Sequence, residues 1–152
     1  MTQSIPTQTH SPTPFIQNWI ILRQDTIILF NQLCLIKPYQ ENQFTHEVLN
    51  EFCEQLMKYI SHGQFHIFKK IVLHINHVKP KTKKFDLKKL QKLIELNQDA
   101  VHFNHLYTLP DDLSHLESEL SSLGESIALR LEIEDELLAG YKYIFYNNSI
   151  LN

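Results

Sequence analysis

The chain has 152 residues, a net charge of −3 and 43% hydrophobic residues. That is the length of one domain able to close its own core without staples. Three glycines and a slightly acidic balance exclude Gly-rich nucleotide loops, turn-rich barrels and a globally basic nucleic-acid binder.

Residues 1–14 are rich in Thr, Ser, Gln and Pro, with neither a basic lead nor an apolar run, so they read as a disordered tail rather than a secretory signal. Beyond them Phe15, Trp19, Leu22, Thr26, Leu29, Leu33 and Ile36 recur at alternating steps of four and three, which is one face of a helix. The other faces carry Ile16, Ile20, Ile21, Ile27, Ile28, Phe30 and Leu35. A helix apolar nearly all round is either covered on several sides or waiting for a partner. Its interspersed Arg23, Gln24, Asp25 and amides exclude a membrane span.

Pro38 ends this helix, and Thr45 is the expected N-cap of the second. Val48, Leu49, Phe52, Leu56, Tyr59 and Ile60 form its stripe, and Gly63 is expected to end it in the left-handed conformation. The pattern resumes at Phe65, Phe68, Ile71, Val72, Ile75 and Val78, so this unit is split at Gly63. Residues 79–84 form a basic linker. Asp86 then caps a third long helix running through Leu90, Leu93, Ile94, Asn97 and Val101 to about Tyr107.

Pro110, Asp111 and Asp112 open the last helix. Its stripe is Leu113, Leu116, Leu120, Leu123, Ile127, Arg130, Glu134, Leu137 and Tyr141. The expected fold is therefore all-α: an up-and-down antiparallel bundle of four long units over residues 15–146, with a tail at 147–152.

Arg130 and Glu134 occupy core-stripe positions one helical turn apart. Charges there need partners. They form either a buried network that sets the bundle register or the polar floor of a binding surface. Arg23, which interrupts the first helix, can join through Glu134 or Asp135. Cys34 and Cys53 lie in apolar helical runs and read as buried free thiols in a reducing cytoplasm.

The nine histidines include no Glu-x-x-His, only Asp99-x-x-His102 and Asp112-x-x-His115, so no metal site and no cofactor are expected. No nucleophile elbow or phosphate loop is present, and the chain does not read as an enzyme. Seven lysines fall within residues 79–92, but Phe85 is the lone aromatic among them, so direct nucleic-acid binding is not expected. Nine acids and one Arg between Asp111 and Glu136 suit a basic partner.

Three blocks resemble one family. Trp19-x-x-x-Arg23 with Leu35-Ile36-Lys37-Pro38 is similar to the first helix and exit of the Rsd/AlgQ family. Phe52-Cys53-x-x-Leu56-x-x-Tyr59-Ile60-Ser61-x-Gly63-x-Phe65-x-Ile67-Phe68 resembles its next two helices. Leu123-Gly124-Glu125-x-x-x-x-Arg130-x-x-x-Glu134-Asp135-x-Leu137 resembles its last. The resemblance covers residues 18–78 and 120–138; residues 79–112 match poorly.

The resemblance implies an anti-sigma factor. Such a protein binds the C-terminal, −35-reading domain of the primary sigma factor and blocks its contacts with core RNA polymerase and DNA. A monomer is expected, because the partner would account for the excess apolar surface of the first helix, and no membrane association is expected. By position it implies a sigma-facing set of Trp19, Arg23, Phe30, Tyr59, Ser61, Gly63 and Phe65. Arg130, Glu134 and Asp135 would form a polar core beneath. Lys58 stands where relatives are expected to carry an acid and Asn31 where they carry an aromatic, so a regulator re-targeted to another protein or DNA is the alternative. A metal-binding bundle is a more distant one.

Overall fold

The computed structural model of the chain describes residues 13–63, 68–71, 73 and 87–151. The expected N-terminal tail up to residue 12, Phe65, and the basic linker at 79–84 lie outside the described residues. Four long helices are described: α1 (Thr13–Leu35), α2 (Gln43–His62), α3 (Leu87–Tyr107) and α4 (Leu116–Leu151). Residues 69–71 are also helical, and no strand occurs among the described residues. No described helix is long and apolar enough to cross a membrane.

The helices follow one another around an up-and-down bundle. α1 packs on α2, α2 on α3 and α3 on α4. Side chains close the ring from α4 back to α1: Arg23 pairs with Asp135 at 2.7 Å, Lys37 pairs with Glu117, and the Phe30 ring lies against Gly124. At one end Glu41 Oε1 accepts the Leu113 N–H at 3.1 Å, tying the α1–α2 loop to the α3–α4 loop.

The expected stripes of α1, α2 and α4 turn inward, except that Phe15 at the start of α1 is 46% exposed, its ring under the Lys70 ammonium rather than in the core. On α4, Leu116, Leu120, Leu123, Arg130, Glu134, Leu137 and Tyr141 are all buried, with Ile127 half-buried. Thr26 sits in the core by donating its hydroxyl to the Leu22 carbonyl, 2.7 Å away on its own helix. α3 is rotated from expectation. Leu93, Leu96, Ala100, Phe103 and Tyr107 form its buried face, while Ile94 and Val101 are about half exposed. Both sets obey helical spacing, and the Phe52 and Tyr107 rings, packed on Phe103 at 5.7 and 4.7 Å, decide between them.

Helix ends differ from expectation where capping chemistry competes. Asn42, not Thr45, caps α2: its Oδ1 accepts the Thr45 N–H at 2.8 Å, and Thr45 is buried. α4 begins at Leu116 rather than near Pro110, because Asp112 spends its carboxylate on the Ser114 N–H and hydroxyl at 2.9 and 2.6 Å. It continues to Leu151, past residue 146. Cys53 is buried, but Cys34 is exposed.

Gly63 is not left-handed: its φ of −58° and ψ of −51° are right-handed helical. What requires glycine is space. A Cβ here would lie 3.0 Å from the Phe68 ring and 3.1 Å from Trp19 Nε1. At Gly124 a Cβ would meet only the Phe30 ring end, at 2.9 Å.

These two surroundings separate the effects of alanine. Gly63→Ala must displace two fully buried rings, at about 1–3 kcal/mol, which outweighs the roughly 1 kcal/mol gain in helix propensity. Gly124→Ala needs only a swing of the half-buried Phe30. Urea unfolding is expected to show G63A destabilised and G124A close to the parent chain.

Candidate functional site

The polar cluster lies at the end of the bundle where α2 leaves toward α3. α4 brings Arg130 and Glu134 inward on successive turns, 1% and 0% exposed. Arg130 Nε donates to Glu134 Oε2 at 3.2 Å, and the Tyr59 hydroxyl of α2 donates to Oε1. Arg130 Nη1 donates to Asn97 Oδ1 of α3 at 2.6 Å. The guanidinium also sits 5.4 Å from the Tyr59 ring centroid and 5.5 Å from that of Phe68, which adds cation–π attraction. Its Nη2 has no hydrogen-bond partner among the described residues. Three helices therefore meet on one ion pair.

Trp19 roofs this cluster. It is completely buried, stacked on Tyr59 with centroids 6.3 Å apart and edge-on to Phe68 at 5.6 Å. The family resemblance implies a partner-facing role for Trp19, Tyr59 and Gly63; the structure buries all three, as the stripes of α1 and α2 require of Trp19 and Tyr59. The physical reason is size and stripe: an indole and a phenol at inward positions bury the most apolar surface available. Of the remaining predicted set, Arg23 and Phe30 are half-buried and Ser61 is exposed. Asp135 belongs to the rim rather than the buried network: its side chain is 62% exposed and holds Arg23.

Burial pushes the Glu134 carboxyl up to about 7, against the downward pull of Arg130, the Tyr59 hydroxyl and Arg23. Burial and the adjoining Glu134 push the Tyr59 phenol well above its ordinary value. Burial alone pushes the Cys53 thiol up to about 12, so it is a poor nucleophile. Among the described residues no three His, Cys, Asp or Glu side chains group to hold a metal. The cluster is sealed by rings, and its two carboxylate oxygens are both engaged. Among the described residues it is enclosed, and it bears structure.

The outer surface is the other candidate. α1 leaves Ile21 54%, Ile28 52% and Leu35 83% exposed. Beside it, α4 exposes Glu117, Glu125, Glu132 and Asp135, while Glu136 turns to Lys89 of α3. The bridges Arg23–Asp135 and Lys37–Glu117 join the two into one surface, apolar on one side and acidic on the other. Lys58 is exposed on α2 and lines a groove toward Asn104 of α3 and Thr108 just beyond its end, away from that surface. Asn97 was the network member hardest to foresee. Its sequence signal is an amide within the apolar pattern of the third helix.

Glu134 makes stability depend on pH. Its folded pKa lies above the ordinary carboxyl value, so its contribution is complete below about pH 4.5 and declines as pH rises through about 7. Glu134→Gln is expected to flatten that decline, read by urea unfolding between pH 5 and 8. Glu134→Ala strands a buried guanidinium and is expected to cost about 3–5 kcal/mol.

The family model described as "Regulator of RNA polymerase sigma(70) subunit, Rsd/AlgQ" matches residues 1–141 of the chain. A Regulator of sigma D from Enterobacter sp. (strain 638) is 25% identical over 144 residues, covering 90% of this chain and 86% of that protein. Its counterpart from Yersinia pseudotuberculosis serotype O:1b (strain IP 31758) is 25% identical over 142 residues, covering 90% and 84%. The one from Yersinia enterocolitica serotype O:8 is 24% identical over 142 residues, covering 90% and 85%. No solved structure matches the chain.

Proposed function

The chain belongs to the Rsd/AlgQ family of regulators of the RNA polymerase sigma-70 subunit, and from that membership we propose that it acts as an anti-sigma factor on the C-terminal, −35-reading domain of the primary sigma factor. Occupying that domain blocks its contacts with core polymerase and with DNA. The observation that carries this reading is the family match over residues 1–141. In this reading the chain is a cytoplasmic binding protein rather than an enzyme, and one copy engages one sigma.

The surface that fits such a partner joins the outer faces of α1 and α4. Exposed Ile21 and Ile28 supply apolar contact area. The acids of α4 steer and hold a DNA-reading domain, which is basic by its task. Arg23 and Phe30 stand between the two helices, and Ser61 is exposed at the end of α2. Trp19, Tyr59 and Gly63 support this surface from beneath. A buried role explains these residue types as well as contact does: each fills or spares volume against Phe68 and Arg130.

Calorimetry with the purified C-terminal domain of the host's primary sigma factor, at physiological salt, is expected to give a 1:1 complex of micromolar or tighter affinity. Glu125→Lys with Glu132→Lys should weaken it and flatten its salt dependence. Absence of binding would overturn the reading. Trp19→Ala is expected to act through stability, at about 3–5 kcal/mol, so circular dichroism and unfolding must accompany any binding loss measured for it.

A further inference from the structure

Arg23 stands between two carboxylates that follow each other on α4. Glu134 is fully buried in the core, whereas the Asp135 side chain is 62% exposed on the rim. Arg23 Nη2 holds Asp135 Oδ1 at 2.7 Å, yet the Arg23 side chain is only 16% exposed, so most of it lies in the wall between α1 and α4. From there its charge also reaches inward, pulling the Glu134 carboxyl and the Tyr59 phenol toward ionisation. One cation therefore serves a buried acid and a rim acid on adjacent residues.

Among the described residues, the charged and titratable groups around Glu134 come from three helices. α1 supplies Arg23, α2 the Tyr59 hydroxyl, and α4 Arg130, with Asp135 turned outward behind it. α3 brings an amide rather than a charge: Asn97 holds Arg130, and Lys89 is taken by Glu136. Phe68 adds a ring. Arg130 is fixed by Asn97, and Tyr59 by its stack on Trp19. Arg23 is the cation whose second partner lies at the surface, where a docked protein reaches it.

We propose that docking on the α1–α4 surface is coupled to loss of the proton on Glu134, with Arg23 as the coupling residue. The inference rests on the proposed sigma docking. With Glu134 protonated, no charge inside competes for Arg23, and the bridge neutralises Asp135. With Glu134 ionised, the buried charge draws on the same guanidinium and leaves Asp135 open to a cation from outside. A basic partner that takes Asp135 releases Arg23 toward Glu134 and stabilises the carboxylate, whose proton goes to solvent. Linkage makes the coupling reciprocal: proton loss tightens docking, and docking expels a proton. Burial holds the Glu134 carboxyl of the free chain at about 7, so the coupling acts around neutral pH. Docking lowers that value in the complex, so affinity rises with pH up to about 7 and levels off above it. A single proton bounds the effect at about tenfold per pH unit.

Calorimetry of the full chain with the sigma C-terminal domain, in buffers of different ionisation enthalpy, counts the protons. Histidines on both proteins titrate in the same range, so the reading is the difference between the parent and Glu134→Gln, which keeps the shape and removes the proton. At pH 6.5 the parent is expected to release about half a proton more than E134Q, and to bind about threefold less tightly than at pH 7.5, beyond any change in E134Q. Carbon-detected NMR of the free chain follows the Glu134 carboxyl directly: Arg23→Gln should move its midpoint up and Asp135→Asn should move it down. Equal proton release by parent and E134Q, or a midpoint indifferent to both rim variants, would overturn the inference. Absence of sigma binding at every pH overturns the docking reading and the coupling with it, while opposite midpoint shifts in R23Q and D135N would still show Arg23 shared between the two acids.

Discussion

The buried ion pair of Arg130 and Glu134 is the constraint around which this bundle is arranged. Two charges inside a helical core are stable only if their remaining hydrogen-bonding capacity is met. Most of that capacity is met from two other helices, by the Tyr59 hydroxyl of α2 and the Asn97 amide of α3, with Arg130 Nη2 left without a hydrogen-bond partner among the described residues and facing rings instead. An apolar core tolerates sliding of one helix on another by exchanging one contact for a similar one. This core does not, because a one-turn slip would strand a guanidinium. The pair adds little net stability over an apolar replacement, but it makes a single register far better than its neighbours.

The aromatic residues are the shell of that pair. Tyr59 serves twice, as a donor through its hydroxyl and as a ring against the guanidinium. Phe68 and Trp19 close the same space, and Gly63 leaves the room they need. Sequence resemblance marks several of these residues together, and a partner-binding patch is one way to read such a set. The structure supports the other way: residues that depend on one another within a few ångströms form a set for structural reasons. In the proposed reading the partner meets what lies outside the shell, the apolar face of α1 and the acidic face of α4.

That division gives the two outer faces different physical characters. The α4 face acts at a distance through charge and depends on ionic strength. The α1 face acts only on contact, through area removed from water. A regulator that uses both can meet its target quickly and still require an apolar match to hold it. The bridges Arg23–Asp135 and Lys37–Glu117 link the two faces along their shared edge.

Period and composition by themselves determined the all-helical bundle, the inner stripes of α1, α2 and α4, and the presence of a charged pair in the last stripe, because burial of an apolar face follows directly from spacing. They also determined the excess apolarity of α1. Only the tertiary structure decided which way α3 turns, since two sets of its residues satisfy the same period and the neighbouring rings choose between them. It also assigned Gly63 to close packing rather than to a turn and moved the start of α4 to Leu116. The start of α4 turns on the local Asp112–Ser114 bonds, whereas α3 and Gly63 are decided by rings from other helices, Phe52 and Trp19, and local pattern carries no information about what stands across the core.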